Sequence, residues 1–544
     1  MAATPGILYV TMQPKPGLSI DQFHEWYNNE HGPTRLRLPQ IFGNGLRYQA
    51  TDSVEPAFLA AYDVTDMHHL ETETYTKLRA NRSPREADTI GQVDVKRYFY
   101  DLITTKQSPL FLPIEQLTDA EAEGIVLVAV EVTITAREGA EQALHSWYDE
   151  EHIPMLAKVP GWLRSRRFKT SSLDKGAPLK FLSLHEYSRD NGLDGPEFKA
   201  AVSTPWRQEV YSKYIADKGR RTYSLFYVFG PAPRDLSSLS TLPSTMAFTS
   251  ADSQTSTTPG GQSGSVISSY VTTADGLSIP YRLEGSPSPN APTIAFCNSL
   301  LTSLHMWDPL VAILKSARPE FRLLRYDHRG RHSIPTPPVP ATLDKLADDL
   351  SAVLEALRIP KLHALVGVSM GGATTLNFAL RYPDKLDRFV ACDFNAASSD
   401  ANTNAWKERI SVAEAPPAED GTAGIQRLAG MTVERWFHPQ TVAAKPEVAA
   451  WMTAMVAAND VQGFKYGCQA LWSYNMRDES KECRVPGLLV VGEGDGKGAL
   501  VKAMDGFRGG IGKEGVKLEI VPEAGHLPMC ENPEGFWEAV RDFL

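Results

Sequence analysis

Cysteine is scarce in this sequence. Five thiols in 544 residues are too few for a disulfide-built framework, and an odd number leaves at least one unpaired. A secretory signal is missing as well: MAATPGILYVTMQPK has no basic stretch followed by an apolar core. No window reaches the roughly 18 uncharged apolar residues of a membrane-crossing helix. The ending VRDFL carries neither a prenylation nor an ER-retention signal. Nor is there a basic surplus: 55 Lys and Arg against 65 Asp and Glu leave a net charge of −10. That argues against nucleic acid or an anionic membrane as partner. These absences predict a cytoplasmic protein with a small-molecule substrate.

What is present is ordinary in bulk, with 42% hydrophobic and 22% charged residues, which excludes a disordered or collagen-like chain. The length exceeds the roughly 250–300 residues of a single core, so several domains are expected. The thiols are lopsided: Cys297, Cys392, Cys468, Cys483 and Cys530 all lie in the second half. Residues 236–266 hold fifteen Ser or Thr among 31, with Asp252 the only charge. Such a stretch reads as a flexible linker, dividing an N-terminal part from a C-terminal one at 267–544.

The N-terminal part repeats itself. Phe23-His24-Glu25-Trp26-Tyr27-Asn28-Asn29-Glu30-His31-Gly32-Pro33 recurs 121 residues later as Leu144-His145-Ser146-Trp147-Tyr148-Asp149-Glu150-Glu151-His152-Ile153-Pro154. Around each copy the pattern is an apolar run, a helical segment ending near proline, two strand-like runs, a second helix and an aromatic strand. This predicts βαββαβ twice, over 1–115 and 116–235, the ferredoxin-like arrangement. His24 and His31 are two helical turns apart and so share a helix face, as do His145 and His152. That is not the four-residue spacing of a helical metal pair, and no metal is expected. Structurally, Trp26 and Trp147 anchor the helix, Pro33 and Pro154 stop it, and the histidines bond locally.

The W-Y-x-x-E-H-x-P signature resembles the EthD-type dimeric α+β barrel family. The resemblance implies two sheets packed into a barrel, closed either within one chain by the duplication or between two copies, which would make a homo-oligomer. It also offers a functional reading, in which His24, His31, His145 and His152 line a pocket as acid or base toward a small aromatic or polyketide-like ligand.

The C-terminal half carries clearer chemistry. Leu362-His363-Ala364-Leu365-Val366-Gly367-Val368 suits a buried strand, Gly367-Val368-Ser369-Met370-Gly371 is G-x-S-x-G, and a helical segment follows. Strand, tight turn and helix make a nucleophile elbow presenting Ser369. Its hydroxyl needs a base oriented by a carboxylate. Val485–Gly492 is a strand followed by Asp495, and Leu518–Val521 a strand followed by His526. Asp495 is assigned as orienting acid and His526 as general base, with Asp393, after an earlier strand, as the alternative acid. The oxyanion donors expected are the backbone N–H groups of Met370 and of Leu300, in the loop after Thr293–Cys297. Cys297 and Cys530 are read as packing.

These motifs, with NSLLTSLHMWDPL (298–310), RYDHRGRHS, VVGEGD and EAGHLPMCENPEGF (523–536), resemble the α/β-hydrolase superfamily, and within it the 3-oxoadipate enol-lactonase branch. AWKERI (405–410) and ERWFHP (434–439) are similar to that branch's helical cap, here about 397–480, where Trp406, Trp436 and Trp472 would wall a substrate pocket. Two departures stand out: Leu301 where the branch has glycine, and Arg329-Gly330-Arg331-His332 in place of its Arg-Gly-His-Gly. The expected fold class is therefore multidomain: tandem ferredoxin-like repeats forming an α+β barrel, then a capped α/β-hydrolase fold. The expected activity is cofactor-free hydrolysis of a lactone or ester. C–C bond hydrolysis and perhydrolase chemistry share the same triad. The barrel would be a cyclase, isomerase or decarboxylase, or a non-catalytic binding or dimerisation module.

Overall fold

A computed structural model describes residues 3–544. The chain forms two compact units, dividing between Pro233 and Arg234. The first unit holds eight strands: β1 Gly6–Pro14, β2 Leu46–Ala50, β3 Phe58–Val64, β4 Val93–Gln107, β5 Val126–Ile134, β6 Trp162–Thr170, β7 Phe181–Tyr187 and β8 Ile215–Val228. They form a closed barrel in the order β1-β3-β2-β8-β5-β7-β6-β4, and every pairing is antiparallel.

The closure depends on two long strands. β4 pairs with β1 through Val93–Asp101 and with β6 through Tyr100–Gln107. β8 does the same, pairing with β5 through Ile215–Ser224 and with β2 through Tyr223–Val228. A shorter strand would leave two open edges. Alternation along the strands sorts the apolar residues. Ile7, Tyr9, Leu59, Ala61, Leu127, Ala129, Leu182 and Leu184 belong to one core cluster. Leu8, Val10, Phe58, Ala60 and Tyr62 belong to another, with Phe23, Trp26 and Tyr27 of the first helix. Burial on both faces explains why these strands read as unbroken apolar runs.

The signature helix is not uniform. The α-helix Ile20–Trp26 widens into a π-helical turn, Tyr27–His31, before Gly32–Leu36 resumes as α. The second copy does likewise with Ala140–Trp147, Tyr148–His152 and Ile153–Leu156. This corrects two expectations. Pro33 and Pro154 do not stop the helix; each is the second residue of an α segment that continues directly from the π-helical turn. The wide turn also shifts the helical phase, so the histidines of each pair have different surroundings. His24 packs on Phe23, Phe58 and Phe226, whereas His31 packs on Trp26 and Tyr27.

The second unit is built on one sheet of ten strands: β9 Phe248–Thr249, β10 Ser256–Thr258, β11 Val266–Thr272, β12 Ser278–Gly285, β13 Thr293–Cys297, β14 Arg322–Tyr326, β15 Ala364–Val368, β16 Phe389–Cys392, β17 Gly487–Gly492 and β18 Lys517–Val521. The order is β18-β17-β16-β15-β13-β14-β12-β11-β10-β9. The six strands from β18 to β14 are parallel, and the rest are added antiparallel. Five helices, Asp400–Glu414, Gly424–Trp436, Pro439–Ala444, Pro446–Ala457 and Val461–Cys468, lie between β16 and β17, within the cap expected at 397–480.

The Ser/Thr-rich stretch 236–266, expected as a linker, is structured and belongs to the second unit. Leu236–Ser240 is a helix whose N-cap Asp235 accepts from the Ser238 N–H, and β9 and β10 extend the sheet beyond β11. Composition misled because hydroxyls can be buried when paired: Thr255 Oγ1 lies 2.7 Å from Ser269 Oγ, while Leu236, Leu239 and Phe248 supply apolar anchors. All five cysteines are free; Cys297 and Cys530 are buried, contacting Tyr326 and the Met306 carbonyl. Among the described residues, no helix is long and apolar enough to cross a membrane.

Candidate active site

β15 runs directly into the elbow. Ser369 has φ 60° and ψ −120°, and the helix Met370–Arg381 departs from it. A Cβ on Gly371 would lie 2.1 Å from the Cys297 carbonyl oxygen, and one on Gly367 2.2 Å from that of Gly371. The turn therefore closes only with glycine at both positions. The Ser369 N–H donates to the Cys392 carbonyl at 2.9 Å, fixing the strained residue to the end of β16. Strain of this kind persists only where the surroundings over-determine it.

His526 lies in the loop after β18, with Nδ1 2.7 Å from Asp495 Oδ2. Its N–H donates to the Trp436 carbonyl at 2.7 Å, and its ring lies 5.4 Å from that of Trp436. The loop is held by a residue the sequence reading missed. Glu531 is buried and accepts from the N–H groups of Gly525 and Leu527 on either side of His526, from the His438 N–H and from the Thr441 hydroxyl. Burial pushes its carboxyl up to about 7. Its only trace in the sequence is its place five residues after His526. Glu531→Gln would replace one accepting oxygen with an NH2 that faces donors which stay where they are. We expect kcat to fall about 10- to 100-fold as His526 shifts, with little change in KM, as measured with a chromogenic ester.

Asp393, the alternative acid, is fully buried after β16 and accepts from the Gly492 N–H at 2.9 Å. Ligand-type atoms of Asp393, Asp495 and His526 fall within 4.8 Å of one another. Burial, and then the charge of Asp495, raise the Asp393 carboxyl well above the usual carboxylate range. Asp393 is thus held toward its protonated form, and Asp495 is the carboxylate bonded to His526.

Ser369, Met370, Asp495 and His526 line one cavity of about 400 Å3, with Trp406 and Trp436 from the cap. Trp472 is not among its lining residues; Leu471 and Tyr474 occupy that wall, and the Trp472 ring faces the Lys407 ammonium at 6.0 Å. Leu300 is buried in the loop after β13. Its neighbour Leu301 has φ 72°, a left-handed conformation that favours glycine. Asn459 Nδ2 and Arg331 Nη1 both donate to the Leu301 carbonyl, and Arg331 also reaches the Met455 carbonyl. The two departures noted in the sequence are therefore one device, with Arg331 clamping the loop that Leu301 strains.

Two further cavity residues were overlooked. Arg409 and Arg435 face the same space, and neither is in an ion pair among the described residues. Desolvation and then Arg409's charge push Arg435 down to about 10, although part of its side chain is exposed. Arg409 lies 4.5 Å over the Trp406 ring. Both stand inside the cap segments AWKERI and ERWFHP, beside the tryptophans that drew the reading.

A mainly parallel sheet thus carries a strained serine at the end of β15 and a His–carboxylate pair in the loops after β17 and β18. Residues 292–533 match the family described as alpha/beta hydrolase fold, and the C-terminal half of the chain is an α/β hydrolase. Two 3-oxoadipate enol-lactonases of Acinetobacter baylyi are similar to it, one 27% identical over 269 residues (49% of this chain, 94% of that protein) and the other 28% over 279 residues (51% and 97%). The carboxylesterase YbfK of Bacillus subtilis is 27% identical over 278 residues, covering 51% of this chain and 86% of that protein. Among solved structures, the enol-lactonase from Burkholderia xenovorans LB400 is 29% identical over 50% of this chain and 98% of its own, with a TM-score of 0.44.

Proposed function

We propose that the C-terminal half is a serine hydrolase that opens a small lactone or ester bearing a negative group, through an acyl-enzyme on Ser369. The observation that carries this is one cavity combining the Ser369 elbow, the His526–Asp495 pair and two arginines that form no ion pair among the described residues. Ser369 Oγ attacks the carbonyl as His526 takes its proton. The N–H groups of Met370, at the positive end of its helix, and Leu300 receive the oxyanion. His526 returns the proton to the leaving oxygen, then deprotonates the water that releases the acid. An enol-lactone is favoured as substrate because the Acinetobacter relatives are named for that activity.

A fluorophosphonate should add one adduct per chain, on the peptide containing Ser369, read by intact mass and peptide mapping. A folded chain that takes no adduct, or takes it elsewhere, removes the reading.

The arginines give the substrate its charge. Each charge-assisted bond contributes about 1.5–3 kcal/mol. Arg409→Ala and Arg435→Ala are each expected to raise KM for an anionic ester about tenfold, leaving a neutral ester within about threefold. Equal losses on both esters would mean that the arginines shape the cap rather than bind charge.

The N-terminal barrel is read as two fused ferredoxin-like repeats of the EthD type. The same internal order, β4-β1-β3-β2 and β8-β5-β7-β6, supports this reading. So does the π-helical turn at the same place in both signature helices.

A further inference from the structure

The two halves of the barrel have diverged at one position. Arg47 lies 4.5 Å over the Tyr27 ring and Arg167 4.2 Å over that of Tyr148. Arg47 pairs across the sheet with Ala60, and Arg167 with Ser183. Two residues further along the partner strands, Tyr62 therefore corresponds to His185. In the first half the Tyr62 hydroxyl donates to that of Tyr27 at 3.0 Å, and the cavity beside them is about 120 Å3. In the second half the smaller imidazole borders a cavity of about 290 Å3.

His185 has an unmet need there. Ser165 is fully buried and its Oγ accepts from the Trp162 indole N–H at 3.0 Å. Its other neighbour is His185 Nδ1, 2.8 Å away, and among the described residues no other acceptor for the buried hydroxyl proton lies within bonding distance. That makes Nδ1 the acceptor and leaves the hydrogen on Nε2. Nε2 is buried and has no hydrogen-bond partner among the described residues. Burial and the charges of His152, Arg167 and Arg220 push His185 down to about 3, so it is a neutral N–H donor without an acceptor. A buried donor left without an acceptor is unfavourable, and a ligand oxygen would relieve it.

The rest of the cavity has the same polarity. Arg207, Lys218 and Arg220 line it, no Asp or Glu does, and none of these three cations is in an ion pair among the described residues. Tyr148, Tyr187, Tyr211 and Phe198 supply flat apolar walls. We infer that this cavity is a second ligand site, wholly within the barrel, for a small planar carboxylate. The carboxylate accepts from His185 Nε2–H and faces the cations at the mouth, and the ring or conjugated chain lies among the tyrosines.

The test uses the full chain with Arg409→Gln and Arg435→Gln, so that the hydrolase pocket does not compete. By calorimetry, trans-cinnamate should bind with one equivalent and cinnamyl alcohol at least about tenfold more weakly. Arg207→Gln/Arg220→Gln, at the accessible mouth, should weaken cinnamate at least about tenfold and leave ester turnover of the otherwise unaltered enzyme unchanged. In histidine-labelled protein, nitrogen NMR should show His185 as the Nε2–H tautomer, with that proton shifting on cinnamate addition. No binding at about 10 mM cinnamate would overturn the proposal. So would equal binding of the alcohol, an unaffected mouth variant, or an Nδ1–H His185.

Discussion

Ser369→Ala is expected to lower kcat on an activated ester by about 10^4- to 10^6-fold while leaving KM and the melting temperature nearly unchanged. Removing the nucleophile of a triad costs about this much, and what survives is catalysis by oxyanion donors and binding. The fold should tolerate the change because alanine keeps the Cβ and the N–H that donates to Cys392. It also keeps the backbone strain, since φ 60° is as costly for alanine as for serine. Ser369→Gly separates the two effects: it should be just as inactive, yet more stable by about 1 kcal/mol, because glycine adopts positive φ without penalty. A Ser369→Ala enzyme within about tenfold of wild type would show that the serine is not the nucleophile.

How much of this site the sequence revealed depends on whether a feature is local along the chain. The elbow was legible because strand, glycine-flanked serine and helix are contiguous, and close backbone approaches at Gly367 and Gly371 leave no freedom in residue type. Asp495 follows the buried strand β17 and His526 the edge strand β18, so their sides of the site followed from the parallel order. Glu531 was not legible, since its role lies in accepting four bonds from two separated loops. The cap arginines were passed over because a cationic side chain on a helix is usually a solvated one, and only the fold reveals that Arg409 and Arg435 turn toward a shared cavity. In the barrel, a seven-residue spacing implied one helix face only for a regular helix, and the π turns at Tyr27–His31 and Tyr148–His152 break that premise. His185 had no motif at all; it emerges from strand register and from one serine that has a single place to send its proton.

The choice between the two buried aspartates yields the second large effect. Asp495→Asn should lower kcat about 10^4-fold at neutral pH. The amide would offer its oxygen or its NH2 to His526 Nδ1 and could not stabilise the imidazolium that forms as Ser369 loses its proton. Asp393→Asn should cost less than about tenfold, because burial and the Asp495 charge push Asp393 toward its protonated form and asparagine is nearly isosteric with a protonated acid. The pH dependence of stability gives an independent check. The Asp393 carboxyl is raised in the fold above its unfolded value, so below the unfolded value both states are protonated and its contribution is fully present. As pH rises, the unfolded chain ionises first, and that contribution falls away until pH passes the raised value. Asparagine has no proton to lose. The stability of Asp393→Asn relative to wild type should therefore improve as pH is raised from 4 toward 8, measured by urea denaturation. The same series on Asp495→Asn should also relieve Asp393, whose upward shift owes its second-largest part to the Asp495 charge. An Asp393→Asn enzyme as inactive as Asp495→Asn would instead mean that the two carboxyls work as one proton-sharing unit, with neither dispensable.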